Sequence, residues 1–330
     1  MIPALEHGVG GGPENEIRFP PLVLAPLRGV TVAAFRRVFA GALREAGFSA
    51  AVSPFVSAVS DEPPGGAALS DLSGPQPIEL VPQVIGRRPS AVAAVLRAFK
   101  ALGYKRADLN AGCPFPMVRR KGRGSGLLEN PDLLARICEA GVETMGAGNF
   151  SVKVRLGVSD PFALERRVMP VLNGFPLASV AIHPRTAEQM YAGSVDMERY
   201  FAAAGVSRNP VIYNGDLFDA ASPARPVECN EVSAGEVARA WAARYGAAAA
   251  PAAFMSGRGF VRSLGLRPDS GALALAYLEE SAKELRGPAP VLGRMKELLS
   301  YWRDAGKWKR RWGAVKISRT LAELESAIAL

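Results

Sequence analysis

Short apolar runs alternate along most of the chain with stretches in which apolar side chains return at every third or fourth position. Eight of the runs read as strands: residues 22–26 (LVLAP), 51–56 (AVSPFV), 78–86 (IELVPQVIG), 107–114 (ADLNAGCP), 150–157 (FSVKVRLG), 178–185 (ASVAIHPR), 210–216 (PVIYNGD) and 252–259 (AAFMSGRG). The stretches between them read as helices. In SAVAAVLRAFKALG, for example, Val92, Val95, Leu96, Phe99 and Leu102 fall on one stripe. Strands that are apolar throughout, each followed by a helix, belong in a parallel sheet covered on both faces. Eight such units in succession predict an α/β protein of the (β/α)8 TIM-barrel type rather than an open sheet.

The pattern changes after Gly265. SGALALAYLEESAKEL and VLGRMKELLSYW are amphipathic, and Ile317, Leu321, Leu324 and Ile328 recur at the spacing of one helix face. A small C-terminal helical domain is therefore expected over residues 266–330, after a barrel over 21–265, with a joint near 266–269 and a second break at GPAP (287–290). Residues 1–20 hold acids, glycines and prolines without a basic start or an apolar segment, and read as a frayed tail rather than a signal peptide. DEPPGGAALSDLSGPQP (61–77) reads as a mobile loop over the barrel mouth, and the alanine run at 247–250 as a loop or helix end.

Composition narrows the classes. Apolar residues make up 48% of the chain and charged ones 22%. No uninterrupted apolar stretch reaches the roughly 18 residues of a membrane span, so a soluble globular protein is expected. Cys113, Cys138 and Cys229 lack the paired spacing of a zinc site or a disulfide framework, which fits a reducing cytoplasm. The two histidines, His7 and His183, leave no multi-histidine metal site. The formal charge of +9 is unevenly placed: from Arg286 to Arg319, ten Lys or Arg face only Glu297 and Asp304, a net of eight positive charges. That excess in the helical segment predicts a polyanionic partner.

Each predicted strand ends in polar or flexible residues: Pro26, Ser57, Gln83, Asn110 with Cys113, Lys153 with Arg155, His183, Asn214 with Gly215, and Gly257 with Arg258. A barrel carries all strand C-termini to one mouth, so these residues converge. Gly215, Gly257 and Arg258 allow backbone N–H groups to approach a phosphate after the last two strands; taken singly, the same glycines only make tight turns. A flavin gathers negative charge at its N1–C2 edge on reduction, which Lys153 is placed to meet, while Gln83 suits the ring's amide edge. The plainer readings are an internal salt bridge for Lys153 and a satisfied core residue for His183.

In ADLNAGCPFPMVRRKGRGSG (107–126), Cys113 stands between Gly112 and Pro114 at a strand end, an exposed turn without core-packing logic. Cys138, in an expected helix over 131–144, packs. A thiol with an ordinary pKa of about 8.5 stays protonated at neutral pH and suits a general acid. A papain-like role lacks support, since His183 is the sole body histidine and no glutamine-hydrolase signature surrounds Cys113.

APLRGVT…FR, DLNAGCP…VRRKGRGSGLLENPDLL, VKVRLG, IHPRTAEQMYAG, VIYNGD and SGRG, in this order, resemble the tRNA-dihydrouridine synthases over residues 22–262. The block around Cys113 is the specific part, and the helical segment is similar to that family's RNA-binding domain. The resemblance implies an FMN enzyme that reduces the C5=C6 bond of particular uridines in tRNA, with NADPH or NADH as reductant. It further implies that hydride passes from flavin N5 to uracil C6 and that Cys113 protonates C5. Pro26 and Leu27 are then expected against the flavin, Gln83 and Lys153 on its ring, and His183 near its phosphate or ribityl chain. Asn214, Gly215, Gly257 and Arg258 are expected to hold the phosphate, and Asp216 to belong to the same cofactor site. Asn110 is expected at the flavin or uracil edge, Arg185 in the site wall, and Lys309, Arg310 and Arg311 on tRNA. Trp308 and Trp312, interleaved with these cations, either stack on exposed bases or anchor their helix. A cytoplasmic monomer without an obligate protein partner is expected.

The chain departs from the family pattern at several places. Leu27 stands where Met is usual, Val32 for an acid, Pro54 often for Glu, Pro184 commonly for Gly, and Met117 for a frequent Lys. DAASPARPVECN is inserted between the last two strands. None of these changes removes Cys113 or the flavin set. Two other readings stand beside this one: an FMN barrel acting on a free pyrimidine or another small unsaturated substrate, and an RNA-binding relative without catalysis. The basic helices speak against the first, and the complete flavin and cysteine positions against the second.

Overall fold

A computed structural model of the chain describes residues 20–218, 232–246 and 250–330. The expected tail up to residue 19 with His7, the inserted segment 219–230 with Cys229, and residues 247–249 of the alanine run lie outside the described residues.

Twelve strands are assigned among the described residues: β1 (Leu22–Leu24), β2 (Phe48–Val52), β3 (Val56–Ser57), β4 (Glu79–Val81), β5 (Gln83–Ile85), β6 (Ala107–Ala111), β7 (Phe150–Arg155), β8 (Val180–His183), β9 (Val211–Tyr213), β10 (Leu217–Phe218), β11 (Val232–Ser233) and β12 (Ala253–Ser256). Ten form one sheet in the order β3-β5-β6-β7-β8-β9-β12-β1-β2-β4, parallel throughout, while β10 and β11 make a separate pair. The ladder closes on itself. β2 and β3 are consecutive pieces of one bent stretch, as are β4 and β5, and the two stretches pair twice, Ala51 with Leu80 and Val56 with Val84. Eight strand positions therefore ring the barrel. The breaks have local causes: Pro54 and Pro82 lack the N–H that a ladder needs. The second strand starts at Phe48, earlier than its apolar run suggests, and pauses over residues 53–55.

Period-two alternation sorts the barrel's two faces. Leu24, Leu109, Val152, Val154, Ile182 and Phe254 point outward into the large core shared with the helices. Val23, Ala25, Val52, Ala181, Ile212, Ala253 and Met255 form a separate apolar cluster inside. The interior on the β5–β7 side is polar instead: Gln83 pairs in register with Asp108, Asp108 with Ser151, and Asn110 with Lys153.

Helices Ser270–Glu284, Pro288–Trp302, Trp308–Ile317 and Leu321–Ala329 follow the barrel and share its hydrophobic core. Tyr277 meets Phe35 edge-on at 6.2 Å, Trp302 meets Phe39 edge-on at 6.2 Å, and Trp302 Nε1 donates to the Val261 carbonyl at 2.7 Å. Trp308 is buried against Trp302 and donates Nε1–H to Ser270 Oγ at 3.0 Å, so it anchors its helix. Trp312 packs partly buried against the same core.

Three expectations change. Ile317, Leu321, Leu324 and Ile328 do not share a helix: one ends at Ile317, which is 75% exposed, and the next begins after Thr320, whose side chain accepts the Glu323 N–H. Leu102 is exposed past the end of helix Pro89–Ala101. In the stretch 61–77, residues 71 and 72 are tied down. Leu72 is buried, Tyr104 Oη donates to its carbonyl at 2.6 Å, and Asp71 pairs with the buried Arg36 at 3.3 Å.

Candidate functional site

The strand C-termini open onto two adjoining clefts that share Pro26, Leu27, Lys153, His183 and Tyr191 as walls. The smaller continues past Asn214, Gly215, Asp216, Gly257 and Arg258. The larger, about 660 Å³, is of the size that small-molecule sites occupy. It runs past Asn110, Cys113 and Arg155 to Pro54, Phe55 and Phe115, and Glu297 and Tyr301 of helix Pro288–Trp302 reach its wall.

Cys113 follows β6, where the chain leaves the barrel wall. It is 7% exposed, less than a free turn would leave it, and it lines the larger cleft. Its N–H donates to Asn110 Oδ1 at 2.8 Å, and its carbonyl accepts the Ser125 N–H at 3.1 Å and Ser125 Oγ–H at 2.9 Å. Burial pushes the thiol above its usual pKa, while the Phe115 N–H and the cations Arg155, Arg28 and Lys153 pull the other way. The net rise keeps it protonated at neutral pH, as a proton donor requires.

Cations dominate the other walls. Burial pulls Lys153 down to about 8, helped by Arg155. Among the described residues no protein hydrogen bond reaches its ammonium, although it lines both clefts. Arg155 is buried and clamped: Nε donates to the Gly112 carbonyl at 3.0 Å, and one terminal nitrogen to Thr186 and Met190 carbonyls at 2.9 and 2.7 Å. Asp216 bridges two arginines, accepting from Arg185 at 2.9 Å and from Arg258 at 2.8 Å. His183 lies 3.2 Å from Arg185, and burial among these cations holds its pKa well below the ordinary range, so it is neutral. Tyr191 covers the group, with the Arg258 guanidinium 4.1 Å and that of Arg155 5.3 Å from its ring centre.

This donor set fits an anionic, acceptor-rich cofactor. Among the described residues Lys153 has no protein hydrogen-bond acceptor, and Asp216 is the one carboxylate bonded to Arg185 or Arg258. Gly257 packs closely against the first strand, since a Cβ there would come within 3.0 Å of the Ala25 Cβ. No group of three His, Cys, Asp or Glu suited to a metal occurs among the described residues.

Pro26, Leu27, Asn110, Cys113, Lys153, His183, Asn214, Gly215, Asp216, Gly257 and Arg258 thus gather at the two clefts. Gln83 and Arg185 do not line them. Gln83 is fully buried beneath Asn110, and Arg185 lies behind His183 and Asp216. Lys309, Arg310 and Arg311 stand on helix Trp308–Ile317, away from both cleft walls; Arg311 donates to the Ile328 carbonyl at 2.7 Å. Arg155, Tyr191, Ser125, Glu297 and Tyr301 carry no assigned role in the sequence reading. Arg155 is visible there as a strand-end cation, and Tyr191 as an aromatic just past a strand end.

The dihydrouridine synthase family model matches residues 23–256. A probable tRNA-dihydrouridine synthase of Rhodobacter capsulatus is 30% identical over 63% of this chain and 64% of its own. A tRNA-dihydrouridine synthase B of Xanthomonas campestris pv. campestris is 29% identical over 67% of this chain and 65% of its own. A probable tRNA-dihydrouridine synthase of Helicobacter pylori is 30% identical over 59% of each. The chain thus spans less than two thirds of the length of these relatives. With the matched segment running from the first barrel strand through the last, this chain belongs to the dihydrouridine synthase family.

Proposed function

We propose that the protein reduces the C5=C6 bond of uridines in tRNA, using FMN and NADPH or NADH. The observation that carries the reading is that one cleft is lined both by a protonated, held thiol, Cys113, and by the ammonium of Lys153, which has no hydrogen-bond acceptor among the described residues. The residues lining the two clefts would hold FMN, which when bound would supply the hydride for uracil C6. Lys153 meets the negative edge of the flavin ring, and Pro26 and Leu27 give it an apolar bed. Asn214, Gly215, Gly257 and Arg258 hold the phosphate, with Asp216 fixing the Arg258 guanidinium. The uracil enters beside Asn110, and Cys113 delivers a proton to C5 as charge builds there. Neutral His183 keeps a hydrogen-bonding ring beside the cofactor without adding a fifth cation.

Residues 266–330 form the tRNA-binding domain of this reading, with Lys309 and Arg310 exposed for phosphate contacts. The cytoplasm is the compartment proposed with this reading. No helix among the described residues is long and apolar enough to cross a membrane. Mass-spectrometric mapping of dihydrouridine in tRNA from a strain lacking the protein tests the assignment. One or more positions should revert to uridine, and an unchanged profile would remove it.

A further inference from the structure

Four side chains inside the barrel form one hydrogen-bonded chain that ends on the backbone of Cys113. Ser151 Oγ donates to Asp108 Oδ1 at 2.6 Å, Gln83 Nε2 donates to Asp108 Oδ2 at 2.7 Å, and Asn110 Nδ2 donates to Gln83 Oε1 at 2.7 Å. Asn110 Oδ1 then accepts the Cys113 N–H at 2.8 Å and the Gly112 N–H at 3.2 Å. Gln83, Asp108 and Asn110 are all buried, and neither Gln83 nor Asp108 lines a cleft.

An amide has a donor end and an acceptor end, so a row of amides has a direction. A carboxylate only accepts. Asp108 therefore holds the NH2 of Gln83 toward itself, which turns Gln83 Oε1 to Asn110 and leaves Asn110 Oδ1 for the cysteine's N–H. Reversing Gln83 would set oxygen against oxygen at Asp108 and NH2 against NH2 at Asn110. Buried groups left unpaired in this way are costly, so the direction is strongly held.

We propose that Asp108 is a positioning residue: as the acceptor-only end of this chain it sets the direction of both amides, and so holds the Cys113 turn with its thiol at the cleft wall. The effect on rate rests on the reading of Cys113 as proton donor; the hold on the thiol has a readout of its own.

A double-mutant cycle on near-isosteric changes tests it. In Asp108→Asn the introduced NH2 turns to Ser151 Oγ, whose own proton turns to the Ala107 carbonyl 3.4 Å away, and an oxygen still faces Gln83. In Ser151→Ala the carboxylate still only accepts. With both changes the introduced amide loses the partner that orients it and is free to turn its NH2 to Gln83. Alkylation of Cys113 by iodoacetamide, followed at that residue by peptide mass spectrometry, is measured on the protein as purified. Single-turnover oxidation of pre-reduced flavin by tRNA is measured beside it. Each single change should stay within about threefold of wild type in both assays, and the double change should alkylate about tenfold faster and turn over about tenfold slower. A double variant whose alkylation rate is only the product of the two single effects overturns the proposal. So does Asp108→Asn alone reaching the double variant's level, since the charge beside Lys153 would then matter and not the chain's direction. Wild-type protein that fails to react with tRNA would sink the functional reading, while the alkylation cycle would still decide this one.

Discussion

Gly124 and Cys113 meet at a distance that admits no side chain: a Cβ on Gly124 would lie 2.8 Å from the Cys113 Cβ and 2.9 Å from its carbonyl oxygen. Gly124 also holds φ at +57°, in the left-handed region. The basic loop after the cysteine thus folds back and presses on it. Gly124→Ala should cost about 1–3 kcal/mol of stability through clash and backbone strain. It should also displace the thiol. A fall in melting temperature accompanied by slower single-turnover reduction is expected; an unchanged rate would mean that the turn tolerates the shift.

Cys113→Ala should bind FMN and tRNA as the wild type does, yet oxidise pre-reduced flavin with tRNA about 10² to 10⁴ times more slowly. A loss below about threefold, well short of the general-acid range, would leave the cysteine a packing residue.

Lys153 carries a pH prediction whose sign follows from burial. Its folded-state pKa of about 8 lies below the ordinary 10.5. Below about 8 the fold bears the full cost of a buried ammonium, and that cost is relieved as pH rises toward 10.5, where only the unfolded chain still binds the proton. Affinity for an anionic flavin should move the opposite way and weaken by up to about tenfold per pH unit above 8. Fluorescence titrations at pH 7 and pH 9 measure this. Lys153→Met should bind weakly at both, and a wild-type profile as flat as the variant's would contradict the assignment.

Asp216→Asn removes the carboxylate shared by Arg185 and Arg258. A buried arginine left without its partner costs about 3–5 kcal/mol, and a cofactor phosphate beside Arg258 would restore part of that. The cofactor-free protein should therefore lose more melting temperature than the FMN-loaded protein. Equal losses would place the phosphate elsewhere.

Replacing Lys309 and Arg310 together by Ala should weaken tRNA binding and flatten its log–log salt dependence by about 0.7–0.9 for every RNA phosphate the two side chains neutralise. Unchanged affinity and slope would make them a solvated helix face.

The barrel is legible in the sequence because short apolar runs alternate with helical stretches and the ends of the runs carry polar groups such as Asn110 and Lys153. The broken second strand is harder to read: Pro54 looks continuous with its apolar neighbours, and only the double pairing with β4 and β5 shows the bend. Gln83 illustrates a further limit. Its place at a strand end suggests a ligand contact, while the hydrogen bond to Asp108 depends on what lies in register with it, which the sequence does not show. The hydrophobic spacing across Ile317 and Leu321 misleads for another reason. It persists through a turn capped by Thr320, a cap whose signal is a single hydroxyl.

Trp302 inserts between the barrel's outer helices and the rest of the helical segment, lying over Gly265 where even a Cβ would collide with its ring at 2.6 Å. A seam of this kind is a weld rather than a hinge. If the basic helices bind tRNA as proposed, the angle at which they present it to the cleft is set when the chain folds. On the proposed function, a change in which uridine reaches Cys113 would then come from reshaping the exposed helix faces, because a longer or looser connection at residues 266–269 would leave the weld intact.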